Sequence, residues 1–165
     1  MASRIEHRAV FTAPASTAHS ALVDRVFLDE RLRVLGGKGA ALLDYSETGG
    51  VVTYRLRQGV DAERLPSVAR TVIKGDLIVE RTETWRGDGD TFTGTTAATV
   101  AGVPGDIKGS YRLSDNGTGS ELITRAEVKV RIPLVGGKIE SVIGEQVTRL
   151  LATEAEFATT WLARH

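Results

Sequence analysis

From about Tyr45 to Ile132 the apolar residues of this chain recur mostly at every second position, between turns rich in Gly, Asp and Pro. From Pro133 to His165 the period changes to that of an α-helix and holds to the last residue. A two-residue period gathers apolar side chains on one face of a strand, and a 3.6-residue period gathers them on one stripe of a helix. Before the strands, Ile5, His7, Ala9 and Phe11 share one face of a first strand that stops at Ala13-Pro14. Proline suits a first helical turn, so a short helix follows, with Ala18, Ala21, Leu22 and Val23 as its apolar side. A second short helix is expected near Asp29–Leu35, ended by Gly36-Gly37.

The remaining strands follow in quick succession. Ala40–Glu47 and Val51–Gly59 form a hairpin around Gly49-Gly50, with Val52, Tyr54 and Leu56 inward. Leu77–Trp85 and Thr91–Val100 form the next, across Gly87–Asp90. Val103-Pro-Gly-Asp106 has Pro and Gly where a type II turn wants them, ahead of Ile107–Ser114. Asp115–Gly119 turns into the last strand, Glu121–Ile132, where Leu122, Ala126, Val128, Val130 and Ile132 oppose charged neighbours. Such alternation gives one dry and one wet face, as in an antiparallel sheet.

In the final helix Ile139, Val142, Ile143, Val147, Leu150, Leu151, Phe157, Ala158, Trp161 and Leu162 fall within one broad stripe. The predicted class is α+β: a seven-stranded antiparallel sheet wrapped around a long C-terminal helix, with two short helices after the first strand. Small inward residues (Gly94, Thr96, Ala98, Gly109, Thr124 and Ala126) leave either a hollow beneath the helix or a closer helix–sheet contact. Asp61–Gly75 has Leu65, Val68, Ala69, Val72 and Ile73 at helical spacing, with Pro66 early. It reads as a short amphipathic helix, either covering an edge or acting as a lid through Leu65, Val68 and Val72.

Composition narrows the function by exclusion. At 165 residues the chain fits one domain, residues 1–165, and 21 acidic residues balance 21 basic ones. No net field draws it to nucleic acid or anionic lipid. The absence of cysteine removes disulfides, thiolate metal sites and cysteine nucleophiles. Met1–Arg8 carries charge where a signal peptide needs an apolar run, and no stretch approaches the ~20 apolar residues of a membrane span. The expectation is a cytoplasmic monomer or small homo-oligomer, without stable membrane insertion.

Chemical motifs are scarce. Gly36-Gly-Lys-Gly39 and Gly136-Gly-Lys138 lack the spacing and the Ser or Thr of a phosphate loop. Asp88-Gly-Asp90 and Asp115-Asn-Gly117 lack the remaining ligands of a calcium loop. His7, His19 and His165 are never three or four apart, so no zinc helix motif exists. No metal and no cofactor is expected. His19 and His165 read as surface residues, whereas His7 shares a face with Ile5 and Phe11 and is either a satisfied core or edge histidine or aimed at a ligand.

Glu154 is the sharpest oddity, because at about 100° per residue it falls at the centre of the apolar stripe. Burying a carboxylate unpaired costs several kcal/mol. Arg81 and Glu83 share a strand face with Leu77, Val79 and Trp85, so polar groups recur on what should be an interior surface. Either Arg81 pairs with Glu154 or Glu83 as a structural ion pair, or these groups are polar anchors on the wall of a pocket. The cavity candidates are His7, Tyr54, Arg81, Trp85, Phe92, Thr96, Tyr111, Gln146, Leu150 and Glu154.

Several phrases add a resemblance: Phe11-Thr-Ala-Pro14, Leu65-Pro66, Gly75-Asp-Leu-Ile-Val-Glu-Arg-Thr-Glu-Thr-Trp85, Gly102-Val-Pro-Gly105, Ile132-Pro-Leu-Val-Gly-Gly-Lys-Ile-Glu140, and Glu154-Ala-Glu-Phe157 to Trp161-Leu162. With the order of elements, they make the chain resemble the START-like, Bet v 1-like superfamily (polyketide cyclases and dehydrases, SRPBCC), and within it a family of uncharacterised proteins from high-GC bacteria. The resemblance implies a helix-grip fold. Relatives bind lipids, sterols, polyketides or hormones, and a minority are cyclases or partners of other proteins.

Three functions remain open on the sequence. The first is a non-catalytic binder or carrier of a small hydrophobic molecule, a lipid, polyketide or aromatic, held between sheet and helix. The second is a cyclase or hydratase-like enzyme on a polyketide or aromatic substrate, using His7, Glu154, Arg81 and Tyr111 as acid–base groups. The third is a protein-interaction module using a sheet edge or the Leu65–Ile73 segment.

Overall fold

The computed structural model describes residues 2–165; Met1, the first residue of the charged N-terminal run, lies outside them. Seven strands form one antiparallel sheet: β1 (Ser3–Phe11), β2 (Ala41–Thr48), β3 (Val51–Val60), β4 (Leu77–Asp88), β5 (Thr91–Val100), β6 (Gly105–Asp115) and β7 (Ser120–Val130). Their order is β1-β7-β6-β5-β4-β3-β2, so every neighbour in sequence pairs in space except β1, which closes onto β7. Two helices, α1 (Ala15–Leu22) and α2 (Arg25–Leu35), separate β1 from β2, and the long α4 (Gly136–Arg164) ends the chain. This is the expected helix-grip architecture.

Local chemistry explains the boundaries. The α1 start follows Pro14 and is tied to the β6–β7 turn, where Asp115 Oδ1 accepts from Ala15 N at 2.8 Å. Asp24 caps α2, its carboxylate accepting from Val26 N at 2.7 Å, so this helix begins four residues earlier than its apolar spacing suggested. The tight turn after β5 lies at Val100–Val103, with Val103 N donating to Val100 O at 3.1 Å and Gly102 at φ 77°. It stands one turn ahead of the Val103–Asp106 turn read from Pro and Gly.

The Asp61–Gly75 segment departs from expectation. Instead of one amphipathic helix it forms a 3₁₀ turn at Ala62–Arg64 and a single helical turn, α3, at Ser67–Arg70. Pro66 is the cause: the residue before a proline is pushed out of the helical region, and Leu65 adopts φ −86°, ψ 140°. The apolar spacing still serves packing, because Leu65, Ala69 and Ile73 are buried, with Val68 and Val72 packed beside them.

The core divides in two. One cluster joins α1, α2 and the C-terminal half of α4 to the sheet; the four Phe, two Trp and three Tyr residues of the chain all belong to it or pack against it. The other joins the N-terminal half of α4 and the α3 segment to β4–β7, and its apolar residues are Ala, Val, Ile and Leu alone. Along α4 the nearest strands are β1 and β7. Gly144 permits that approach, since a Cβ there would lie 3.3 Å from Ser3 Oγ. The helix thus leans on one edge of the curved sheet and stands away from β3 and β4.

Candidate functional site

Beneath the stand-off lies a cavity of about 930 Å³. Its inner wall is the small-residue side of the sheet: Thr96 and Ala98 of β5, Thr124 and Ala126 of β7, with Ile107 of β6. Cross-strand register aligns Glu83, Thr96, Gly109, Ala126 and Ile5 in one row, and the middle three are short. Ile143, Gln146, Val147, Leu150 and Leu151 of α4 form the opposite wall. The exposed Lys38, Asp61, Arg64 and Arg149 also line it, so it reaches the surface between α4, the α2–β2 loop and the end of β3.

At the inner end stands a buried polar cluster: Arg31, Gln58, Arg81, Glu83 and Glu154 are each at most 7% exposed. Arg81 Nη2 donates to Glu154 Oε1 at 3.1 Å and to Glu83 Oε1 at 3.4 Å. Gln58 Nε2 donates to Glu154 Oε2 at 3.3 Å, and Arg31 Nε lies 3.6 Å from the same oxygen. Tyr54 Oη donates to Glu83 Oε1 at 2.8 Å, and Tyr111 Oη to Glu83 Oε2. The expected choice between Glu154 and Glu83 as partner of Arg81 is resolved as both.

Electrostatics fix the charge states. Burial opposes ionisation of Glu154, but the Arg31 and Arg81 guanidinium groups outweigh it and hold this carboxyl below the usual glutamate value. Burial likewise opposes the charge on Arg81, and Glu154 and Glu83 overcome it, so the guanidinium stays charged. Burial, followed by the Glu83 charge, pushes the Tyr54 and Tyr111 phenols well above their ordinary range. Two cations face two anions, and both tyrosines stay protonated.

The ten cavity candidates separate into three groups. Arg81, Thr96, Tyr111, Gln146 and Leu150 line the large cavity. His7, Tyr54, Trp85 and Glu154 miss it and line a recess of about 40 Å³ on the far side of the cluster, which Arg81 and Tyr111 also touch. Phe92 lines neither, because its ring stacks on His19 at 4.2 Å. His19 is accordingly not a surface residue as expected: it is half-buried between Phe92 and Trp85, and burial lowers its pKa from 6.5. His7 shares the recess with Glu154, and no hydrogen bond joins the two. Leu65, Val68 and Val72 line neither space; they pack into the aliphatic cluster beside the mouth.

Gly94 needs a different account from its small neighbours. On β5 it lies between Trp85 of β4 and Tyr111 of β6, whose rings stack 5.0 Å apart. A Cβ at Gly94 would lie 2.9 Å from Trp85 Cδ2. This glycine makes room for aromatic packing, not for the hollow. Sequence reasoning also passed over Arg31, Gln58 and Glu140. Gln58 continues the inward alternation of Val52, Tyr54 and Leu56, and Arg31 sits four residues after Phe27 on the buried side of α2. Glu140 is buried at the start of α4 and accepts from Val130 N at 2.8 Å, closing the end of β7.

A seven-stranded sheet gripping a terminal helix, with a cavity between them, defines the START-like, Bet v 1-like class. Solved structures bear this out at the level of fold. The Zhui aromatase/cyclase from Streptomyces sp. R1128 superposes with a TM-score of 0.64 at 16% identity, over 99% of this chain and 95% of that one. A START superfamily protein from Mycobacterium smegmatis gives 0.58 at 13%, over 98% and 97%. Norcoclaurine synthase from Thalictrum flavum, in complex with dopamine and hydroxybenzaldehyde, gives 0.63 at 14%, over 100% and 88%.

Within that class, residues 6–162 match the family described as protein of unknown function DUF2505, and the chain belongs to it. It is similar to the uncharacterised proteins Rv0481c of Mycobacterium tuberculosis and Mb0491c of Mycobacterium bovis, each 32% identical over 142 residues, covering 82% of this chain and 75% of theirs. Among the described residues no helix is long and apolar enough to cross a membrane.

Proposed function

We propose that this protein is a non-catalytic binder or carrier, residues 1–165 acting as one domain that holds a small hydrophobic molecule between sheet and α4. The carrying observation is the cavity of about 930 Å³, with largely aliphatic walls, buried polar side chains at its inner end and charged ones at its mouth. That size and lining are those of a ligand pocket. The ligand is of lipid, polyketide or aromatic type, and the norcoclaurine synthase of the same fold, solved with dopamine and hydroxybenzaldehyde, supports the aromatic one. Leu65, Val68 and Val72, packed in the aliphatic cluster, are in this reading the candidates for a lid.

The cyclase-like alternative draws less support from the chemistry. General acid–base catalysis needs a group that exchanges protons near neutral pH. Glu154 and Glu83 are each met by several donors, and burial drives both tyrosines away from titration. His7 does not line the large cavity.

A lipid extract and a panel of small aromatics, screened by thermal shift and native mass spectrometry, test the proposal. A ligand at about 100 times its Kd adds roughly 2.7 kcal/mol, a rise of several degrees in melting temperature. Ala126→Phe, which fills the inner wall, should abolish the shift while the variant still unfolds cooperatively. Absence of any bound or stabilising ligand for the unmodified protein would sink the carrier reading.

A further inference from the structure

The polar end of the cavity is incomplete in a specific way. Among the described residues, Gln58 uses its Nε2 on Glu154, and its Oε1 is buried without a hydrogen-bond partner. Arg81 uses Nη2 on both carboxylates, and its Nε is likewise buried without one. Both side chains line the large cavity, from adjacent strands: Gln58 stands opposite Val79, one inward position away from the Leu56–Arg81 pair. One acceptor and one donor, carried by two side chains that line the same cavity, are thus left unmet at its inner end, and buried polar groups of this kind ordinarily have partners.

We propose that this end of the cavity selects a ligand whose buried terminus is a neutral hydroxyl, alcohol or phenol, and discriminates against one ending in a carboxylate. The inference rests on the binding reading above and adds the chemistry of the ligand's inner end. A hydroxyl carries one O–H donor and acceptor lone pairs, the complement of Gln58 Oε1 and Arg81 Nε. A carboxylate offers acceptors only and would leave Gln58 Oε1 facing like charge. Turning the Gln58 amide over would not help, because its oxygen would then meet Glu154 in place of Nε2.

Net charge gives the same answer. Arg31 and Arg81 already balance Glu83 and Glu154, so an added anion would make a buried cluster negative at a site removed from water. A wholly apolar terminus adds no charge but leaves both polar atoms unmet, at a loss in affinity. The order of preference is hydroxyl, then hydrocarbon, with carboxylate no better than hydrocarbon.

Fluorescence titration of the full chain at pH 7 with pyrene, 1-hydroxypyrene and 1-pyrenecarboxylate tests the order. About 0.5 M salt screens the exposed Lys38, Arg64 and Arg149 at the mouth, which would otherwise attract the anion from outside. The expected result is 1-hydroxypyrene about tenfold tighter than pyrene, and 1-pyrenecarboxylate no tighter than pyrene. Equal affinity for pyrene and 1-hydroxypyrene, or tightest binding of the carboxylate, overturns the head-group inference and leaves the cavity reading standing. Failure of all three to bind overturns the cavity reading. Gln58→Met removes the acceptor while keeping side-chain length, and should cut the ratio of the pyrene Kd to the 1-hydroxypyrene Kd, both measured in the variant, to under threefold. Equal weakening of both probes in that variant also counts against the assignment.

Discussion

The two ends of the core are built from the same sheet and the same helix, yet one is full and the other hollow. At the α1–α2 end, Phe27 packs against Phe157 and Trp161 with ring centroids 5.4 Å away in each case, and Trp85 stacks on Tyr111. At the α3 end the residues beneath α4 are Thr, Ala, Val and Ile, and the helix is held off by its lean toward β1. The difference is one of side-chain volume against a nearly constant backbone frame. Large flat rings close the gap where present; branched aliphatics of limited reach do not. A stable fold and an internal void can coexist because separate sets of residues are responsible for each.

Truncation tests this contrast most strongly. Phe27→Ala at the full end should cost about 3–5 kcal/mol of unfolding free energy, measured by urea denaturation, because the removed ring leaves a sealed gap. Leu150→Ala on the hollow side should cost under about 1 kcal/mol, since its side chain already borders empty space. Equal costs would dissolve the distinction.

Enlarging side chains should reverse the ranking at smaller scale. Gly94→Ala drives a methyl into Trp85 and is expected to destabilise by about 1–3 kcal/mol, with an altered tryptophan emission. Ala98→Val projects into the cavity and should change stability by no more than about 0.5 kcal/mol.

Acid titration gives the finest separation. The folded pKa of Glu154 is depressed, so its contribution is fully present above the unfolded value of 4.5 and is lost as pH falls below that value through the folded one. His19 at the full end is depressed from 6.5 by burial, so protonation there begins to erode stability as pH falls below 6.5. Urea midpoints followed from about pH 7.5 to about pH 3 should show both limbs. Glu154→Gln should flatten the lower one alone, and His19→Gln the upper one alone.

How much of this was legible follows from the range of the interactions. Strand alternation and the helical stripe are local, so the sheet and α4 could be read along the chain. The anomaly of Glu154 was visible as a carboxylate inside an apolar stripe, and Arg81 as a cation inside a strand face. Gln58 reaches that carboxylate across 96 positions of sequence. Arg31 reaches it from farther still, and the two become its partners only once α2 folds over the sheet. Gly94 and Ala98 look alike in the sequence; only the register, which sets Trp85 beside Gly94, tells a packing glycine from a cavity wall. The Asp61–Gly75 pattern misled because spacing reports which residues are buried, and Pro66 decides what backbone buries them.

The four charges beneath α4 have a consequence for assembly. They arrive on three separate elements: one guanidinium from α2, a guanidinium and a carboxylate from β4, and a carboxylate from α4. A slip of β4 by one residue would turn both Arg81 and Glu83 toward solvent and leave Glu154 indoors with Arg31 as its one charged partner. Misaligned chains are therefore penalised at this one cluster, which ties the register of β4 to the docking of α4 on the sheet.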